Sequence, residues 1–168
     1  LKAIHKLGVE LADINGGSLR NAIPREAFAT VVVPKSNKDA VLKEIDKIKG
    51  IVASELSLVE PDFQLACEET AAQASIIDKK ITKKLIDAIY ACPNGVIRMS
   101  DSMKGLVETS SNLAIVKSDG KQVTISCLIR SSVDTAKEDV TEAFESVMAL
   151  AGGKSQFTGG YPGWKPNM

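Results

Sequence analysis

Histidine occurs once in the 168 residues, at His5. A zinc site usually draws three or four ligands from His, Cys and carboxylates, commonly with a short-spaced pair. The sequence has neither a CxxC pair nor an HExxH motif. A Ser-His-Asp or Cys-His arrangement would have to recruit His5, which lies between Ile4 and Leu7 and reads as a solvent-facing helix residue. A P-loop is also missing, and the glycine pairs Gly16-Gly17, Gly152-Gly153 and Gly159-Gly160 lack GxGxxG spacing. Catalysis by this chain alone is therefore not expected. Nor is there a surplus of positive charge: 21 Lys+Arg face 21 Asp+Glu. With nothing to neutralise a run of phosphates, no nucleic-acid partner is expected. No apolar run approaches the roughly 18 residues of a membrane span, and no signal peptide opens the chain, so no membrane partner is expected. Cysteines are few: Cys67, Cys92 and Cys127 are odd in number, widely spaced and in apolar company. They read as buried, reduced thiols of a cytoplasmic protein.

What is present suits a globular fold. Hydrophobic residues make up 44% and charged residues 25%, enough for a sizeable core in one ordinary domain or two small lobes. The sequence opens at Leu1, without a methionine and inside a helical pattern, so a piece of something longer is expected.

Periodicity predicts three helices. Val41, Ile45, Ile48 and Val52 share one face between Asn37 and Ile51, with Ser36 and Asp39 as a capping pair. A second helix over Asp78–Cys92 presents Ile81, Leu85, Ala88 and Ile89 and stops at Pro93-Asn94-Gly95. The third opens on the capping box Thr135-Ala136-Lys137-Glu138, carries Val140, Phe144, Val147 and Ala151 on one face, and ends at Gly152-Gly153. Strands are predicted at Val9–Ile14, Ala27–Val33, Phe63–Cys67, Leu113–Lys117 and Val123–Ile129. The Asp119-Gly120 step marks a hairpin between the last two. Along that last strand Val123, Ile125, Cys127 and Ile129 point one way, and Thr124, Ser126, Leu128 and Arg130 point to a wetter face.

The element order repeats. Val41-Ile45-Ile48-Val52 maps onto Val140-Phe144-Val147-Ala151 with a shift of about 99 residues. The fold class expected is α+β: two ferredoxin-like lobes, each an antiparallel sheet with helices on one face. Residues 1–74 form the first lobe and 75–160 the second, with 161–168 as a return linker. Duplication is a hypothesis that superposing the lobes would test.

Three segments carry a family resemblance. The run from Gly16-Gly17-Ser18-Leu19-Arg20-Asn21 to Ala22-Ile23-Pro24-Arg25-Glu26-Ala27 resembles the lid signature of the cytosol non-specific dipeptidases. These are also called aminoacyl-histidine or Xaa-His dipeptidases, within the aminoacylase/carboxypeptidase superfamily of di-zinc metallopeptidases. Gly159-Gly160-Tyr161-Pro162-Gly163-Trp164 resembles the stretch where that family's chain returns to its catalytic domain. Between them, Ser126-Cys127-Leu128-Ile129-Arg130-Ser131-Ser132 is similar to a strand bearing a substrate-binding arginine. The resemblance implies a lid, itself doubled in some relatives, that closes over a dipeptide in a cytoplasmic hydrolase. Two zinc ions and a glutamate base would lie in a catalytic domain outside this segment. His5 does not match the family's upstream glycine-histidine motif and inherits no role from it.

By resemblance, Asn21 and Arg130 are the substrate-binding candidates; no catalytic or metal-binding residue is assigned. The chemistry suits them: a guanidinium grips a free C-terminal carboxylate through two parallel hydrogen bonds, and an amide serves a peptide unit or an oxyanion. From the residues alone, Arg130 is also one more polar residue on a wet sheet face, and Asn21 a turn residue. The partners implied are the chain's own catalytic domain, a dipeptide, and a second copy in a homodimer. Two other readings stay open: a dimerisation or interaction module, and a ligand-binding regulatory α+β domain.

Overall fold

The computed structural model describes residues 1–160, 162 and 163. In chain order the elements are α1 (Lys2–His5), β1 (Glu10–Gly16), β2 (Ala27–Val32), a 3-10 turn (Lys35–Asn37) and α2 (Lys38–Glu55). Then follow α3 (Lys79–Ala91), β3 (Gly95–Met99), β4 (Val107–Ser118), β5 (Val123–Ser131) and α4 (Asp134–Ala151). The strands form one five-stranded antiparallel sheet in the order β2-β1-β4-β3, with β5 on β4. The fold is α+β, as its helix and strand periods require.

The chain divides into two compact units. One comprises Leu1–Ala12 with Thr30–Lys83, and the other Asp13–Ala29 with the described residues from Lys84 onward. In the first, the apolar faces of α1 and α2 meet: Ile4, Val9 and Val41 are buried, with Leu7, Val31, Val33 and Ile45 packed on them. In the second, Cys92, Val140 and Phe144 form the core, closed by Leu113, Cys127 and Ile129 from the strands and by Val147 and Met148 from α4. Val41 and Val140, which the repeat pairs, each lie in a core cluster of their own unit.

Helix starts differ in how they are satisfied. Asp78 caps α3 through its carboxylate, accepting the N–H of Lys80 at 2.8 Å and of Ile81 at 3.2 Å. At α2 the expected Ser36/Asp39 pair does not form. Asn37 occupies the N-cap without a side-chain cap bond: its Oδ1 accepts from Ser36 Oγ at 3.1 Å while its amide nitrogen donates to the Leu7 carbonyl at 2.8 Å. At α4 the helix begins one residue before the expected box. There Asp134 accepts from Lys137 Nζ and from the Gly163 N–H, both at 2.8 Å, and these bonds hold its carboxyl below the usual range. Gly152 ends α4 with φ +79°, and Gly152 and Gly153 donate to carbonyls of its last turn.

Two strand expectations change. Phe63–Cys67 is not a strand. Its alternation is real, with Phe63 and Leu65 half-buried and Gln64, Ala66 and Cys67 exposed. Alternation records which side is dry, whereas a strand also needs a neighbour for its backbone groups. Conversely, β3 follows the Pro93-Asn94-Gly95 stop directly and pairs with β4. Its five residues are all exposed, so it lacks the buried alternation that marks a strand. Of the return linker 161–168, only Pro162 and Gly163 fall within the described residues.

Candidate functional site

The β4–β5 hairpin sets the geometry. Its turn is built on Asp119, whose carboxylate accepts the N–H groups of Lys121 and Gln122, each at 2.9 Å. These bonds, Gln122 first, hold the Asp119 carboxyl below its ordinary range. Beyond the turn the register runs Ser118↔Val123 to Thr109↔Ser131, with one irregularity between Leu113 and Ile115. Cys127 and Ile129 pack on the core formed with α4. Leu128 and Arg130 alternate with them and therefore point away from that helix. Opposite these two stand Asn112 and Ser110 of β4, in the pairs Asn112↔Leu128 and Ser110↔Arg130.

Residues 17–26 link β1 to β2 and are held against β4. Gly17 starts the loop at φ +70°, and a Cβ built there would collide with the Ala114 carbonyl oxygen, so only glycine fits. The Gly17 N–H donates across the loop to the Glu26 carbonyl at 3.1 Å. At the apex, the Ala22 N–H reaches the Leu19 carbonyl at 3.2 Å, closing a turn with Arg20 and Asn21 at its centre. The Asn112 amide then donates to the carbonyls on either side of Asn21, to Ala22 O at 2.7 Å and to Arg20 O at 3.4 Å.

Asn21 thus lies on an exposed turn tied to Asn112, and Arg130 is exposed on β5, two residues from Asn112's cross-strand partner. Among the described residues no side-chain hydrogen bond or ion pair engages either Asn21 or Arg130. Leu19, Ile23 and Phe28, from the same connection and the start of β2, are 60%, 83% and 63% exposed, an apolar fringe beside the turn. Sequence reasoning missed Gly17's contact and Asn112 altogether. The available signal for Asn112 was its residue type, since asparagine is depleted in strand interiors.

Other candidates lie elsewhere. His5 is half-buried, not solvent-facing, and bonds the Val9 carbonyl at 3.3 Å, because α1 turns its ring back on the following chain. Cys92 is buried and Cys127 half-buried, but Cys67 is exposed, since its segment joins no sheet. The hydrogen bond to Cys92, in which the Cys127 thiol donates, and burial push Cys127 far up. A cleft of about 280 Å³ is lined by Arg98, Thr109, Thr135 and Asp139 among others, and Arg98 there is engaged by Asp101 and Glu108. Among the described residues no group of three or more His, Cys, Asp or Glu could hold a metal ion. The zinc ions that the resemblance implies find no ligand set in them. No helix of the described residues is long and apolar enough to cross a membrane.

Residues 2–59 match the family described as peptidase dimerisation domain. Over 162 residues, 96% of the chain, the sequence is 41% identical to the cytosol non-specific dipeptidase of Escherichia coli K12, of which it covers 33%. The crystal structure of aminoacylhistidine dipeptidase from Vibrio alginolyticus superposes with a TM-score of 0.94 at 41% identity, over 98% of this chain and 34% of that one. The chain spans about a third of the length of the dipeptidases it matches. Similarity thus extends along nearly the whole chain, to about a third of the cytosol non-specific dipeptidase and of the aminoacylhistidine dipeptidase, with the peptidase dimerisation domain match within it.

Proposed function

We propose that this chain is the lid of a cytoplasmic, metal-dependent dipeptidase, inert by itself, which closes over a dipeptide bound in the remainder of a longer protein. Arg130 grips the free C-terminal carboxylate, and Asn21 serves the scissile peptide unit and the oxyanion that develops from it. The zinc ions and the general base belong to that remainder. Closure works by excluding water and by completing the set of polar groups around the substrate.

One observation carries the reading. Two side chains suited to a dipeptide's carboxylate and to its peptide unit are left without partners among the described residues, and Asn112 ties the turn of one to the strand pair of the other. The exposed apolar fringe of Leu19, Ile23 and Phe28 is surface that a lid buries when it shuts.

The test uses the full-length dipeptidase. Arg130→Ala should cost about 2–5 kcal/mol of transition-state stabilisation, about 30- to 5,000-fold in kcat/KM. Discrimination against C-terminally amidated dipeptides should shrink in parallel. Asn21→Ala should lower kcat. Near wild-type turnover in both variants removes the assignment, as does dipeptide cleavage by the pure fragment.

A second, compatible role rests on the match of residues 2–59 to a peptidase dimerisation domain. The same lid also contacts a second copy of the protein.

A further inference from the structure

We propose that Asn112 is a positioning residue for substrate recognition: its amide fixes the Arg20-Asn21 turn over the β4–β5 hairpin, so that Asn21 and Arg130 keep one spacing. The proposal rests on the substrate-binding reading of those two residues and goes beyond it, since Asn112 itself touches no substrate.

The geometry of the latch is specific. Both groups facing Asn112 are carbonyl oxygens, Ala22 O at 2.7 Å and Arg20 O at 3.4 Å, so only the amide nitrogen can face them, and it uses both its hydrogens. Arg20 O lies in the peptide plane that leads into Asn21 and Ala22 O in the plane that leaves Ala22, so holding both restrains the two ends of the Asn21-Ala22 stretch. A turn closed only by the Ala22 N–H to Leu19 carbonyl bond would remain free to rock about its base. The base is itself pinned, by the tight seating of Gly17 on Ala114 and by the Gly17 N–H to Glu26 carbonyl bond.

The far side of the latch is equally fixed. Next to Asn112 on β4, Ser111 is buried and donates to the Pro93 carbonyl, and the Leu113 N–H donates to Asn94 Oδ1 at 2.9 Å. The strand pair continues from Asn112↔Leu128 to Ser110↔Arg130. Asn112 is thus the one side chain among the described residues that bonds both carbonyls flanking Asn21, and it does so from a strand clamped on both sides. Recognition groups must be held to within a fraction of an ångström, and a displacement of about 1 Å can cost about 100-fold in rate.

Asn112→Asp keeps the shape but replaces the two donors by a carboxylate facing two carbonyls. Asn112→Ala removes the donors without the repulsion, and it remains informative should the aspartate variant fold poorly. In the full-length dipeptidase, kcat should fall roughly 10-fold in Asn112→Ala and roughly 100-fold in Asn112→Asp. Discrimination against amidated dipeptides should stay at the wild-type level, because Arg130 is undisturbed. A merely destabilised protein would not separate those two readouts. The double variant Asn21→Ala/Asn112→Ala should turn over no more slowly than Asn21→Ala alone. Wild-type kcat in Asn112→Asp, or losses that multiply in the double variant, overturn the proposal while leaving the role of Asn21 intact. Wild-type turnover in Asn21→Ala overturns both.

Discussion

Gly17 shows how much of the site depends on a missing side chain. Its backbone is left-handed, and its Cα lies against the Ala114 carbonyl where no Cβ fits. Gly17→Ala combines the steric cost of that conformation, about 1–2 kcal/mol, with overpacking of about 1–3 kcal/mol. The expected loss is therefore about 2–5 kcal/mol in urea unfolding, and an unchanged midpoint would show that the loop does not seat on β4. The residue type was visible in the sequence, but the reason for it was not. Gly16-Gly17 announces a turn, whereas the partner that forbids a side chain lies about a hundred residues away. Asn21 and Arg130 are singled out through a resemblance alone, because nothing local separates an arginine proposed to bind substrate from any other polar residue on a wet strand face.

At the scale of elements, the β4–β5 hairpin was the most legible part. Its Asp-Gly step and the alternation of Cys127 and Ile129 with Leu128 and Arg130 gave both the turn and the facing of the strand. The helical periods were readable too, except on α3, where the expected Ile81 is exposed and Thr82 and Ile86 are buried instead. β3 and Phe63–Cys67 were misread for one shared reason: pairing depends on a neighbour that local pattern does not contain. The hairpin also makes a prediction in acid. Asp119's folded pKa lies below its unfolded one, so its contribution is fully present above the ordinary aspartate range, about pH 4. It is lost as pH falls through the folded value. Asp119→Asn retains an acceptor but not the charge. Wild type should therefore exceed it in melting temperature near neutrality, and the gap should close as pH drops below about 4. A gap independent of pH would mean that the carboxylate's charge plays no part in the turn.

For the molecule as a whole, the match of residues 2–59 to a peptidase dimerisation domain has a direct consequence. Sedimentation of the full-length protein across a concentration series should show a monomer–dimer equilibrium or a stable dimer. A monomer throughout removes the second role while leaving the lid proposal intact. The α+β class followed from the order of helical and strand periods, and no single residue was needed for it. The single five-stranded sheet could not be read that way, because strand order is decided by which edges meet.

The way the 17–26 loop is fastened has one more consequence. Its ties to β4 run through the seat of Gly17 and through main-chain oxygens of Arg20 and Ala22, so the side chains of Leu19, Arg20, Asn21 and Ile23 are free of the fastening. The apex is an exchangeable cassette: new side chains can be installed there to change what the loop presents, while the anchorage underneath stays as it is.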